Sequence, residues 1–208
     1  MQLFIWITSY LPDSVYICKS ILEYMKGIIA LLLLALGLNV SAQKLPPLDK
    51  SPLDMSYYPV GYPVLKFQNK VTDPLVMRII YSRPQLNGRK VFGDLQKLGE
   101  VWRLGANEVT EIHFFKDVWI NNKKIKKGRY SLYCIPYNDK WTLIVNKETD
   151  VWGLKYDAEK DVTRIDLPIE KNSTTEALTI IFEKSDTGAN MLMYWDDVKA
   201  TLPITFKN

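Results

Sequence analysis

The chain is poor in the residues that staple small exported domains or carry metal and nucleophile chemistry. It has two cysteines and one histidine in 208 residues. Cys18 lies ahead of an export signal and Cys134 alone follows it, so the mature chain has no pair for an internal disulfide. Without paired Cys/His spacing there is no zinc site to propose, and no cofactor is expected. No G-x-S-x-G elbow occurs, and His113 shares its strand parity with Glu111, which reads as a solvent-facing imidazole rather than a general base. Asp157, Asp161, Asp196 and Asp197 lack EF-hand spacing and read as solvated turns. No segment carries a convincing amphipathic helical stripe. Nor is there an excess of one charge. The net charge is +4 and dispersed, which excludes a nucleic-acid partner. The densest basic run, Lys123 to Arg129, brackets a turn and reads as a solvated hairpin end.

Long hydrophobic runs are also missing. The longest, Ile28 to Leu38, is shorter than the about 20 residues a membrane-spanning helix needs. It follows Met25-Lys26-Gly27 and precedes Val40-Ser41-Ala42, the layout of a secretory signal peptide. The expected arrangement is a leader over 1–42, with translation starting at Met25 and cleavage after Ala42. A Pro-rich linker over 43–54 and a single domain over 55–208 follow. An uncleaved anchor formed by the whole leader is the alternative, against which Pro12, Asp13, Lys19 and Glu23 argue. The mature chain is therefore expected in the periplasm or secreted, with no membrane span.

What is present is a period of two. Met77, Ile79 and Tyr81 alternate with Arg78, Ile80 and Ser82, and Ile112 and Phe114 with Glu111 and His113. Val118-Trp119-Ile120, Asn121-Asn122 and Ile125 spell a hairpin with a left-handed turn. Further alternating runs lie at 129–135, 141–146, 164–169, 178–183, 191–195 and 198–206. Cys134 sits among them on the face of Tyr130 and Leu132, a buried inert thiol. About nine short strands at 8–12-residue spacing predict a single all-β antiparallel sandwich or flattened barrel. Tyr57 to Pro63 suits an edge strand or irregular cover, and Glu148 to Lys160 a short helix or excursion broken at Trp152-Gly153.

The segment most able to carry function is Tyr81 to Thr110, dense in glycine, arginine and hydrogen-bonding side chains. Arg83, Arg89 and Arg103 suit forked hydrogen bonds to a carboxylate, phosphate or sulfate. Trp102 suits stacking on a sugar ring or an arginine. Asn107, Glu108 and Thr110 supply directional hydrogen bonds. The competing reading is a structural corner in which Glu108 pairs Arg103 or Arg89 and Trp102 plugs the core. A corner would leave these groups saturated, whereas a site would leave donors facing a cleft.

The blocks YSRP (81–84), GRKVFG (88–93), VWRLGANEVT (101–110), GRYSLYCIP (128–136), WTLIVNK (141–147), WG (152–153) and YW (194–195) resemble a bacterial family known as domain of unknown function 2911. The resemblance spans roughly Ser51 to Phe206. It implies an exported protein of Bacteroidetes-type bacteria and supplies no activity. Three functions stay open. The first is a module that binds a small anionic or sugar-like ligand, or an envelope protein, through the Arg/Trp/Asn/Glu region. The second is a glycan hydrolase using Glu108 with Glu100 or Asp94, whose carboxylates would stand about 5–9 Å apart. Arginines nearby favour ionised carboxylates and weaken that option. The third is a purely structural envelope protein. Trp119, Trp141, Trp152 and Trp195 read as inter-sheet filling rather than a carbohydrate platform.

Overall fold

A computed structural model describes residues 11–37 and 44–207. The chain divides between Pro47 and Leu48 into two units. The first contains one helix, α1 (Leu11–Gly37). Pro12 and Asp13 lie in its first turn, where proline loses no intrahelical bond, so they do not interrupt it. No helix among the described residues is long and apolar enough to cross a membrane. The expected cleavage triplet Val40-Ser41-Ala42 lies outside the described residues.

The second unit is all-β apart from short helical turns. Its strands are β1 (Leu53–Tyr58), β2 (Met77–Ser82), β3 (Thr110–Phe114), β4 (Val118–Ile120), β5 (Lys123–Ile125), β6 (Gly128–Pro136), β7 (Lys140–Asn146), β8 (Asp161–Ser185) and β9 (Gly188–Thr205). They hydrogen-bond in the order β1-β2-β3-β6-β7-β8-β9-β4-β5, every pair antiparallel. β8 joins the two layers of the sandwich. Asp161 to Pro168 pair with β7, and Ile169 to Ser185 pair with β9, with register shifts between Lys171 and Thr179 where the strand bends. No closed barrel forms among the described residues.

The strand count matches the expectation, but its partition differs. The runs at 164–169 and 178–183 belong to one long strand, as do those at 191–195 and 198–206. Residues 170–177 read as a break because they are polar, yet they stay extended with side chains largely in solvent. β1 takes in Leu53 and Asp54, read from sequence as linker, and pairs along its length with β2 between Pro52 and Pro59. The cover after it contains a short helix, α2 (Tyr62–Phe67), with proline in its first turn.

The alternation works as read. Met77, Ile79 and Tyr81 of β2 and Ile112 and Phe114 of β3 point into one core between the layers. Leu132 and Cys134 of β6 join it, while Tyr133 and Ile135 face the opposite side with Val109 and Ile144. Burial pushes the Cys134 thiol well above its ordinary pKa, so it is an inert packing group. Asn121 and Asn122 both carry positive φ, 47° and 62°, closing the β4–β5 hairpin.

Candidate functional site

The connection between β2 and β3, Arg83 to Val109, lies against the sandwich and is anchored at its middle by Trp102. Its backbone exchanges two hydrogen bonds of 2.7 Å with Cys134 of β6. Its ring is buried, and Nε1 donates to the Gly105 carbonyl at 2.9 Å. It stacks on Trp195 at 5.4 Å and meets Trp141 and Phe92 edge-on at 5.9 and 6.2 Å. After Trp102 the chain turns sharply through Leu104 at φ 52°. Thr110, fully buried, locks that turn by donating its hydroxyl to the Leu104 carbonyl at 2.6 Å.

The other sequence-selected residues divide by what they touch. Arg83 clamps β1 to β8, donating to the Leu178 carbonyl at 3.1 Å, Thr179 Oγ1 at 2.9 Å and Asp54 Oδ2 at 3.1 Å. Arg89 folds back on its own loop, onto the carbonyls of Leu86 at 2.9 Å and Gln85 at 2.7 Å. Asn107, at φ 57°, donates to Asp49 at 2.9 Å. Arg103 differs from these. Its guanidinium lies 5.7 Å over the Trp152 ring, and its Nη1 is closed to solvent with no hydrogen-bond partner. Burial lowers its pKa from the usual guanidinium value, an effect partly offset by the charge of Glu108.

Arg103 lines a cavity of about 410 Å³ with Arg89, Gln96, Trp102, Leu154, Tyr156 and Trp195, among others. Trp195 is 2% exposed, and its Nε1 is a second buried donor without an acceptor. None of the described lining residues is Asp or Glu. The wall beside Arg103 depends on Gly153, which holds φ 80°; a Cβ there would come within 2.9 Å of Val109 Cβ and 3.1 Å of Arg103 Cβ. Trp195, Leu154 and Tyr156 were not selected from sequence as binding residues. They are far from Arg103 along the chain, and the signals for them are the WG pair at 152–153 and the YW pair at 194–195.

Glu108 lies elsewhere. It is exposed and borders a separate depression of about 280 Å³ with Leu53, Ile80, Glu111, Arg129 and Asp150. Glu111 is already engaged, accepting from Arg129 Nη2 at 2.6 Å and from the Asp150 backbone N–H at 2.7 Å. Asp150 also accepts from Arg129, and each contact holds the loop that carries Trp152 to Leu154 against β3 and β6. Glu100 is an exposed side chain 3.8 Å from Lys97, and Asp94 is likewise exposed.

A family model described as "Protein of unknown function (DUF2911)" matches residues 63–204. The chain belongs to that family. No curated protein and no solved structure matches it. The matched stretch of this DUF2911 domain begins in α2 and ends in β9, so it includes Arg103, Gly153 and Trp195 and leaves out β1.

On the opposite face of β2 and β3 the DUF2911 domain holds its one histidine less freely than the alternation suggested. His113 is half-buried and stacks on Phe115 at 4.0 Å, and its Nδ1 is buried without a partner. Burial lowers its pKa below 6.5, and the charges of Arg78 and Arg129 add to this against the opposing pull of Glu111. The unfolded chain therefore takes up the proton first as pH falls. The contribution of neutral His113 to stability is whole above about pH 6.5 and is lost as pH drops through the depressed folded value. The urea midpoint is expected to fall more steeply between about pH 7 and pH 5 in the natural chain than in His113→Gln. Parallel profiles would refute this.

Proposed function

We propose that this domain is an exported, periplasmic or secreted binding module that takes a small anionic ligand in the cavity of Arg103 and Trp195. The supporting observation is the guanidinium of Arg103 in a wall that contains no carboxylate among its described residues. Hydrogen bonds to a charged group contribute about 1.5–3 kcal/mol, which an oxyanion at this wall would gain. Arg89 adds positive charge at the same wall although two of its nitrogens are occupied. The hydrolase alternative needs a second free carboxylate near Glu108, and Glu111 and Asp150 beside it are both engaged by Arg129. The localisation rests on the leader sequence alone.

The test is a titration of the full chain with acetate, benzoate, phosphate and sulfate, and with neutral monosaccharides, read by tryptophan emission. Trp102 and Trp195 line the cavity and report on it. A saturable change is expected with at least one anion, weakened by added salt, and none with the sugars. Silence towards every anion would leave the structural reading standing.

A further inference from the structure

The polar groups account for only part of this cavity. Leu95, Val101 and Leu154 also line it, and they are 48%, 38% and 74% exposed. Trp152, beside Arg103, is 53% exposed. Single exposed apolar side chains are ordinary, but several gathered around one cavity mark a binding surface. Pro84 and Ala106 continue the apolar lining. The cavity thus combines two arginines and no acid with an apolar border that Ser51, Gln96 and Tyr156 interrupt.

Resting on the anion reading above, we propose that the ligand is amphipathic: a monocarboxylate whose head meets the guanidinium of Arg103 and whose alkyl or aryl tail lies against Leu95, Val101 and Leu154. A bare inorganic anion would leave those side chains in water and gain nothing from them. A neutral apolar molecule would leave the Arg103 charge unmatched.

The inference is tested by calorimetric titration of the full chain with acetate, butanoate, hexanoate and octanoate below their micelle concentrations, with octanol as the uncharged control. A fully buried methylene strengthens binding about fourfold, and affinity is expected to rise steadily from acetate to octanoate. Octanol is expected not to bind. Leu154→Ser, at an exposed position, is expected to flatten the chain-length series while leaving the unfolding midpoint unchanged. Equal affinity across the series would overturn the amphipathic ligand and leave the anion reading intact. Octanol binding as tightly as octanoate would overturn it by showing that charge is not read. Failure of every anion to bind would remove the underlying reading as well.

Discussion

Trp102→Ala is expected to lower the free energy of unfolding by about 3–5 kcal/mol, the range for truncating a large buried aromatic side chain. Three terms point the same way. The indole is 6% exposed and is packed among Trp195, Trp141 and Phe92, so its removal opens a void that neighbouring rigid rings do not readily close. The Gly105 carbonyl loses its donor inside the protein. Aromatic pairs in stacked or edge-on geometry also contribute about 0.5–1.5 kcal/mol each beyond the area they bury. Urea unfolding is the measurement, with an unchanged slope expected if the transition stays two-state. Trp102→Phe should fall in between, because it restores most of the volume but not the N–H. A loss below about 1 kcal/mol would mean that the ring is a surface plate, as a sugar-stacking role requires.

That result would also sort the candidate residues into those that build the loop and those left over. Thr110 and Trp102 belong to the turn itself, and Arg83 ties β1 to β8. Their polarity was legible in the sequence; their saturation was not, because every partner except Gly105 and Leu104 comes from a distant strand. The strand pattern was legible wherever one face meets the core, as at Met77, Ile79 and Tyr81. It failed at residues 170–177, where β8 bends in solvent and burial imposes no alternation. Asn121-Asn122 was readable because a left-handed turn selects its residues locally. The position of Glu108 was not. Asn107 turns at positive φ and Val109 is buried beside Tyr133 and Ile144, which leaves Glu108 bordering a different depression from Arg103, although its charge still reaches that guanidinium. That Arg103 and Trp195 line one cavity depends on β9 reaching the loop, a tertiary fact without a local signal.

Arg103→Met is expected to separate stability from binding. The substitution keeps an unbranched chain over Trp152 and removes the buried Nη1 that has no acceptor, so unfolding should be unchanged or slightly harder. Arg83→Met makes the contrast. It deletes contacts to Leu178, Thr179 and Asp54 and should cost about 1–2 kcal/mol, with partial exposure keeping the figure modest. Anion affinity should behave in reverse. Hydrogen bonds to a charged group contribute about 1.5–3 kcal/mol, so losing Arg103 should weaken octanoate roughly 10- to 100-fold, whereas Arg83→Met should leave it nearly unaltered. Paired urea and calorimetric titrations of the two variants decide the matter. If Arg103→Met costs as much stability as Arg83→Met and leaves affinity untouched, Arg103 is one more strut of the corner. If it binds no anion but folds as well as the natural chain, Arg103 serves binding rather than the fold, the trade-off between stability and activity that functional residues show.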